Sequence, residues 1–285
     1  MKIFQLASQT TSQMMGYILQ ADDGTLCCID GGTGGDTEHM LEVLRLLGGE
    51  NPHIRYWFFT HAHADHCTVF LTLWPRYGTD FTVDHVVYTF PAAEDIQIHD
   101  PRTGEVPFLF RKLDLPRISP RAGDVFSLGG DAKMEVLLTW DPAETANMTN
   151  NSSTVYRLKA NGVTTVFLGD LGIEGGQRLL HAYGDTLKCD MVQMAHHGQN
   201  GVGREVYAAL NPDVCLWPTP SWLWSNTLDP LRPNKGPWAT LITRGWMREL
   251  GEQRHAVAQY GTWEIHLHDG QADMKLLDRK TGDRL

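Results

Sequence analysis

Six consecutive residues, His61-Ala62-His63-Ala64-Asp65-His66, follow the apolar run Tyr56-Trp57-Phe58-Phe59-Thr60. Three imidazoles and a carboxylate in so short a stretch are hard to explain without a metal. His offers neutral nitrogen and Asp charged oxygen, the mixture that suits Zn²⁺ and its neighbours. If the chain leaves a strand extended, His61 and His63 fall on one side. A turn straight afterwards aims Asp65 and His66 at a second point nearby. The pattern implies two metal centres served by one loop, with further ligands owed by the rest of the chain.

A chain of 285 residues, 42% apolar and 20% charged, has ample material for a core, and one domain spanning 1–285 is expected. Its formal net charge of −10 opposes polyanions, which argues against a nucleic-acid partner and for a small-molecule substrate. No apolar stretch reaches membrane-spanning length, and the N-terminal residues carry no small-residue cleavage site, so a cytoplasmic protein with no membrane partner is expected. Five cysteines without repeated spacing imply no disulfide framework. Cys27 and Cys28, adjacent in an expected strand, point to opposite faces as buried thiols, and Cys67 reads as a packed thiol beside the motif. The oligomeric state is not legible.

Strands are expected at Lys2–Ala7, Met15–Gln20 and Thr25–Ile29, then a Gly-rich loop from Asp30 and a helix carrying Met40, Leu41, Val43, Leu44 and Leu47. That loop lacks the Lys-Ser/Thr of a phosphate cradle. The strand Ile54–Thr60 delivers the motif. A short helix, Val69–Trp74, is expected to stop at Pro75, with a strand at Asp84–Phe90 beyond it. Pro91–Pro120 reads as an irregular excursion. Strands resume at Asp124–Ser127, Met134–Trp140, Ser153–Leu158, Val163–Leu168, Asp190–Ala195 and Asp213–Trp217, with helices at Glu174–Tyr183, Arg204–Leu210 and Thr240–Leu250. Ala256–Tyr260 and Thr262–His268 are expected to close the chain as a hairpin. Both halves run strands, helix, then an apolar strand ending in ligand-type residues. Two packed sheets with helices outside accommodate that order.

Two further strand ends carry metal-competent residues: Phe167-Leu168-Gly169-Asp170 and Ala195-His196-His197-Gly198. Gly169 removes a side chain that would obstruct a carboxylate approaching two cations. Other histidines, His85, His99, His181 and the His266/His268 pair, read as structural or exposed, the last pair lacking a nearby carboxylate.

With these residues in view, the chain resembles the metallo-β-lactamase superfamily, whose His-x-His-x-Asp-His signature stands here as His61 to His66. Asp30-Gly31-Gly32 resembles the family's Asp-Gly turn. Asn151 to Leu158, Phe167 to Asp170 and Ala195 to Gly198 look most like the branch containing the hydrolase domain of ComEC-type competence proteins and related phosphoesterases. The resemblance implies an α/β fold, a four-layer αββα sandwich of two mixed sheets with helices outside. It implies that His61 and His63 hold one metal and Asp65 and His66 the other. Asp170 would bridge them, and one of His196 and His197 would complete the second site, the other serving substrate or proton transfer. Catalysis would rest on Asp65, His196 and His197. Asp30 is expected to orient a ligand imidazole through its other ring nitrogen.

Many members place a further histidine between the motif and the bridging aspartate. Here Met148-Thr149-Asn150-Asn151-Ser152-Ser153 has none, as in the ComEC-like branch, so the first metal has fewer protein ligands. Asn151 either offers an amide to metal or substrate or serves as a turn residue. Trp222 and Trp224, in Trp217-Pro218-Thr219-Pro220-Ser221-Trp222-Leu223-Trp224, either wall the cleft or pack in the core. Two divalent cations, Zn²⁺ first and Mn or Fe as alternatives, would lower the pKa of a shared water. The resulting hydroxide would attack a phosphodiester or related small ester. The alternatives are a carboxylic ester, lactone or amide substrate, or a non-enzymatic metal-binding module. A redox di-iron reading is disfavoured, because His63 stands where a carboxylate would be needed.

Overall fold

The computed structural model describes residues 1–100, 103–229, 231–251 and 253–277, with the side chain of His99 outside that description. Strands β1 (Lys2–Gln5), β2 (Gly16–Gln20) and β3 (Leu26–Asp30) form an antiparallel meander. In β3, Cys27 and Ile29 face one apolar cluster while Leu26 and Cys28 face another, the period-two pattern of a strand covered on both sides. The adjacent thiols therefore point apart. Helix α1 (Thr37–Gly48) crosses to β4 (His53–Phe58), which lies parallel to β3, and α2 (Ala64–Tyr77) crosses to the parallel β5 (Thr82–Val87). Parallel neighbours need such crossovers, and these place helices on the outer face of the sheet.

Two expectations fail here. Helix α2 is not a short segment ended by Pro75; it starts inside the motif at Ala64 and carries Pro75 in its last turn. A proline there forfeits one backbone hydrogen bond near an end that is already close, so the helix absorbs it. The stretch 91–120 is not irregular either. It holds α3 (Ala93–His99), α4 (Glu105–Arg111) and the two-residue β6 (Arg117–Ile118). Phe110 anchors α4 by edge-on contacts with Phe59, Tyr88 and Phe90, burial that a Pro-rich stretch conceals from pattern reading.

The second half opens with β7 (Val125–Gly129) and β8 (Ala132–Leu138), then α5 (Met148–Asn151), β9 (Val155–Ala160) and β10 (Val163–Phe167). Helix α6 (Ile173–Tyr183) leads to β11 (Met191–Gln193), and α7 (Arg204–Leu210) to β12 (Val214–Trp217). Helices α8 (Ser221–Trp224) and α9 (Thr240–Leu250) precede β13 (Arg254–Val257), which lies parallel to β12. The chain then returns to the first sheet as β14 (Trp263–His268) and β15 (Gln271–Leu276). The expected closing hairpin is therefore misplaced: β13 and β14 belong to different sheets, and β14 pairs with β15. His268 gains a carboxylate partner from that pairing, Asp273 at 2.8 Å, which corrects the reading of the His266/His268 pair.

The first sheet runs β15-β14-β1-β2-β3-β4-β5-β6 and the second β13-β12-β11-β10-β9-β8-β7. Both mix parallel and antiparallel pairs. Their inner faces share a cluster that includes Tyr17, Phe58, Tyr156 and Phe167. Outer clusters pack α1, α2 and α4 on one sheet and α6, α7 and α9 on the other, giving the four-layer αββα order. No described helix is long and apolar enough to cross a membrane.

Candidate metal centre

The ligand-type residues meet where parallel strands end. Asp30 terminates β3, His61 and His63 follow β4, Asp170 follows β10, and His196 and His197 follow β11. The carboxyl ends of parallel strands are the usual place for a site in sheets of this kind. Asp65 and His66 occupy the first turn of α2 rather than a loop, and a carboxylate there also faces the positive end of the helix. Gly169 is required: its φ is +58°, and a Cβ would lie 2.8 Å from the Thr60 Cβ and 2.9 Å from the Ser153 Oγ. His196 and His197 are both left-handed, at φ 51° and 54°, so their rings turn back toward Asp170.

Two groups of donor atoms share one carboxylate. His61, His63 and Asp170 offer atoms within 4.8 Å of one another, and so do Asp65, His66, Asp170 and His197. In the first group His61 Nε2 lies 2.8 Å from His63 Nδ1 and 3.8 Å from Asp170 Oδ2. In the second, His66 Nε2 is 3.2 Å from Asp170 Oδ1, and His197 Nε2 is 3.1 Å from Asp65 Oδ2 and 3.5 Å from Asp170 Oδ2. His196 belongs to neither group; its Nε2 is 3.8 Å from Asp170 Oδ2 and its ring is part-exposed.

Each ring is held from behind. His66 Nδ1 meets Asp30 Oδ2 at 2.7 Å, and that carboxylate also accepts the Thr60 amide and hydroxyl. His61 Nδ1 meets Thr60 Oγ1 at 3.0 Å, His197 Nδ1 meets the Pro218 carbonyl at 2.9 Å, and His196 Nδ1 meets the Asn200 carbonyl at 3.1 Å. His63 reverses the pattern, giving Nε2 to Asp100 Oδ2 at 3.1 Å and turning Nδ1 inward. One nitrogen engaged outside and the other aimed inward is how proteins orient imidazoles for a metal.

The electrostatics agree. Burial disfavours the charged form of Asp170, yet His66, His197, His196 and His61 around it hold its carboxyl well below the usual range. Burial likewise opposes ionisation of Asp65, and His197 and His66 outweigh it in the same direction. His61 is pushed down by burial and then by His66. His66 and His197 are raised instead: burial works against their charged forms, and Asp170 with Asp30 or Asp65 more than offsets it. Asp30 is raised by burial, which the His66 and Thr60 contacts only partly offset. Among the described residues, His66 Nε2, His197 Nε2 and both Asp170 oxygens are buried polar atoms without a hydrogen-bond partner. Such groups normally find partners, and a cation between them would satisfy all four at once. The nitrogen and oxygen donor set therefore fits divalent cations.

Other expectations fare differently. Asn151 does not face the centre. Its Oδ1 accepts the Gly172 and Gly175 amides and its Nδ2 donates to Ala146 O and Glu174 Oε2, so it caps the start of α6. Trp224 is packed edge-on against Trp217 with the Arg244 guanidinium 4.0 Å from its ring centre, a partly buried side chain resting on the outer apolar cluster. Trp222 donates its Nε1 to the Thr11 carbonyl and packs on Trp238, latching the loop that carries Gln13. Cys67 donates its thiol to the His61 carbonyl.

Four contributors escape sequence reading. Asp100 holds His63. Gln13 Nε2 donates to Asp65 Oδ2 at 2.8 Å, and Gln199 Nε2 in turn donates to Gln13 Oε1. The buried Gln193 clamps the Asp170 turn, accepting the Leu168 and Gly169 amides and donating to the Gly169 and Met194 carbonyls. Neutral amides leave no local pattern; only Gln193, lone and polar in the apolar strand before His196, offered a signal.

Comparison with known proteins places this geometry. The family model of the metallo-beta-lactamase superfamily matches residues 16–217. A 97-residue stretch is 30% identical to ComE operon protein 3 of Bacillus subtilis (strain 168), covering 34% of this chain and 12% of that protein's length. Among solved structures, the metallo-beta-lactamase fold protein YhfI of Bacillus subtilis superposes with a TM-score of 0.52 at 13% identity, covering 92% of this chain and 99% of that one. A CmlA beta-hydroxylase mutant gives a TM-score of 0.52 at 13% identity, over 93% of this chain and 54% of that one. At such identities these two structures speak for the fold alone. The family model covers well over half of the chain and the His/Asp set stands at its strand ends, so this chain belongs to the metallo-beta-lactamase superfamily and carries the site of a metal-dependent hydrolase.

Proposed function

We propose that the chain hydrolyses a phosphodiester or related small ester, with one divalent cation held by His61, His63 and Asp170 and a second by Asp65, His66, Asp170 and His197. The observation that carries this reading is the Asp170 carboxylate: buried, with neither oxygen hydrogen-bonded, and ringed by inward-facing imidazoles. Cations in these positions supply an acidified water and positive charge opposite the oxygen that becomes anionic. The nitrogen and oxygen donors favour Zn²⁺, with Mn or Fe next.

The chain's own residues do the rest. Asp170 keeps the two groups in register by offering an oxygen to each. Thr60, Asp30 and the Pro218 carbonyl commit the Nδ1 atoms of His61, His66 and His197, leaving each Nε2 for the centre. Between the two histidines of the Ala195–Gly198 turn, geometry favours His197 as the ligand. His196 then presents its Nε2 beside Asp170 on a part-exposed ring; with Nδ1–H on the Asn200 carbonyl, the doubly protonated ring would donate a hydrogen bond to substrate or hand a proton to the departing oxygen. The phosphodiester preference rests on the resemblance to the ComEC-type branch. A small molecule, not a nucleic acid, is the substrate class that a net charge of −10 favours.

Two measurements test this. Protein purified without chelator is expected to carry one to two equivalents of a transition metal; an active, metal-free protein overturns the reading. Bis(p-nitrophenyl) phosphate, p-nitrophenyl acetate and a lactone are then compared with Zn²⁺ and Mn²⁺ present. Turnover of the carboxylic esters alone overturns the phosphodiester preference while leaving the metal site standing.

A further inference from the structure

The first donor group has a shortage that the second does not. It contains two histidines and the shared carboxylate, three donors against four, and the segment Met148 to Ser153 holds no imidazole. That same segment nevertheless reaches the site by another route. Thr149, on α5, directs its hydroxyl to Asp100 Oδ2 at 3.4 Å, Thr103 donates to the same oxygen at 2.8 Å, and Asp100 Oδ2 receives His63 Nε2 at 3.1 Å. Three elements thus converge on one carboxylate oxygen: the end of α3, the turn before α4, and α5. Its contact with His63 sits on the ring nitrogen that faces away from the centre.

We propose that Asp100 is a positioning residue for the first metal site, fixing the His63 ring so that its Nδ1 stays turned toward the centre. The inference rests on the two-cation reading given above. The chemistry is that of a carboxylate behind a ligand imidazole: the anion stabilises hydrogen on Nε2, which commits the neutral tautomer to a bare Nδ1 and strengthens it as a donor. Removing such a carboxylate weakens metal binding by about 10–100-fold in general. Of the five histidines at this centre, only His63 and His66 have a carboxylate at the outward nitrogen, one in each group. Asp100 is to the first group what Asp30 is to the second. The difference is that Asp100 lies on the α3–α4 excursion and not at a core strand end.

The test is a Co²⁺ titration followed by visible absorption, with Zn²⁺ competition for the affinities. It compares the unaltered chain with Asp100→Asn, Asp100→Ala, Thr103→Val and a reference His63→Ala. The expected result is two equivalents on the unaltered chain and selective weakening of one in the Asp100 variants. That loss is about 10-fold for Asn and up to ~100-fold for Ala, and it falls on the equivalent that His63→Ala loses. Thr103→Val, which keeps the carboxylate and its neighbours' shape, is expected to weaken that equivalent by less than the ~10-fold of Asp100→Asn. If both equivalents bind the Asp100 variants as they bind the unaltered chain, the positioning role is wrong and the proposed function stands. If the unaltered chain takes up no Co²⁺, both fall together.

Discussion

The two donor groups share Asp170 and differ in almost everything else. Asp65, His66, Asp170 and His197 form a set in which only Asp65, at 17%, is more than 1% exposed, and its supports are β3, the Pro218 carbonyl and the first turn of α2. The other group has His63 at 21% exposure, leaning on an Asp100 that is itself 32% exposed. One cation position is therefore built into the sandwich and the other hangs partly on an excursion. A low-dielectric, fully supported position holds a cation more tightly than an open one with fewer donors. The lesson is that a dinuclear signature in sequence does not make two equal sites.

The sharpest way to break that comparison is to remove what the groups share. Asp170→Asn keeps the shape and deletes the charge; kcat/KM is expected to fall by ~10³-fold or more, about 4 kcal/mol, with both equivalents of metal weakened together. If only one weakens, Asp170 is not common to the two. Asp65→Ala comes next, with loss of the tighter equivalent and of turnover while far-ultraviolet circular dichroism is unchanged. Surviving activity would move the chemistry to the His61 and His63 side.

Acidification separates the groups more gently. His66 and His197 hold protons more tightly than ordinary imidazoles, since carboxylates outweigh their burial, whereas buried His61 holds its proton less tightly. A cation must displace those protons. Loading the second group near neutral pH should therefore release more protons than loading the first, and its apparent affinity should fall more steeply as pH is lowered. Calorimetry in two buffers of different ionisation enthalpy reads that difference directly. The smallest effect on the site is expected from Asn151→Ala. It uncaps α6 and costs about 2 kcal/mol of stability in a denaturant melt, yet leaves the order of the two metal affinities unchanged. A reversed order would mean that Asn151 acts at the centre after all.

Local chemistry was readable from the residues and long-range pairing was not. The motif at His61 to His66, the bridging position of Asp170 and the His196/His197 turn all follow apolar strands, so their convergence could be inferred from pattern. Asp100 could not be. It sits among prolines and scattered charges, and its partner is 37 positions away. Pro75 misled for a related reason: its penalty depends on where in a helix it falls, and that is set by packing of Phe70 and Leu73 on the sheet. The fate of β13 and β14 was decided by which sheet edge each met. Alternating residues at 256–268 suit either partner, and only the tertiary register chooses.

The left-handed backbone at His196 and His197 has a consequence for anyone seeking a hardier version of this chain. Side chains other than glycine pay roughly 1–2 kcal/mol per residue for that conformation. Here the turn is kept by the His196 amide on the Gly169 carbonyl and by the Thr219 hydroxyl on the His197 carbonyl. A survey of substitutions for heat resistance would rank glycine at position 196 among its winners and would thereby discard the part-exposed ring beside Asp170. Thermal selection and catalytic selection pull this turn in opposite directions.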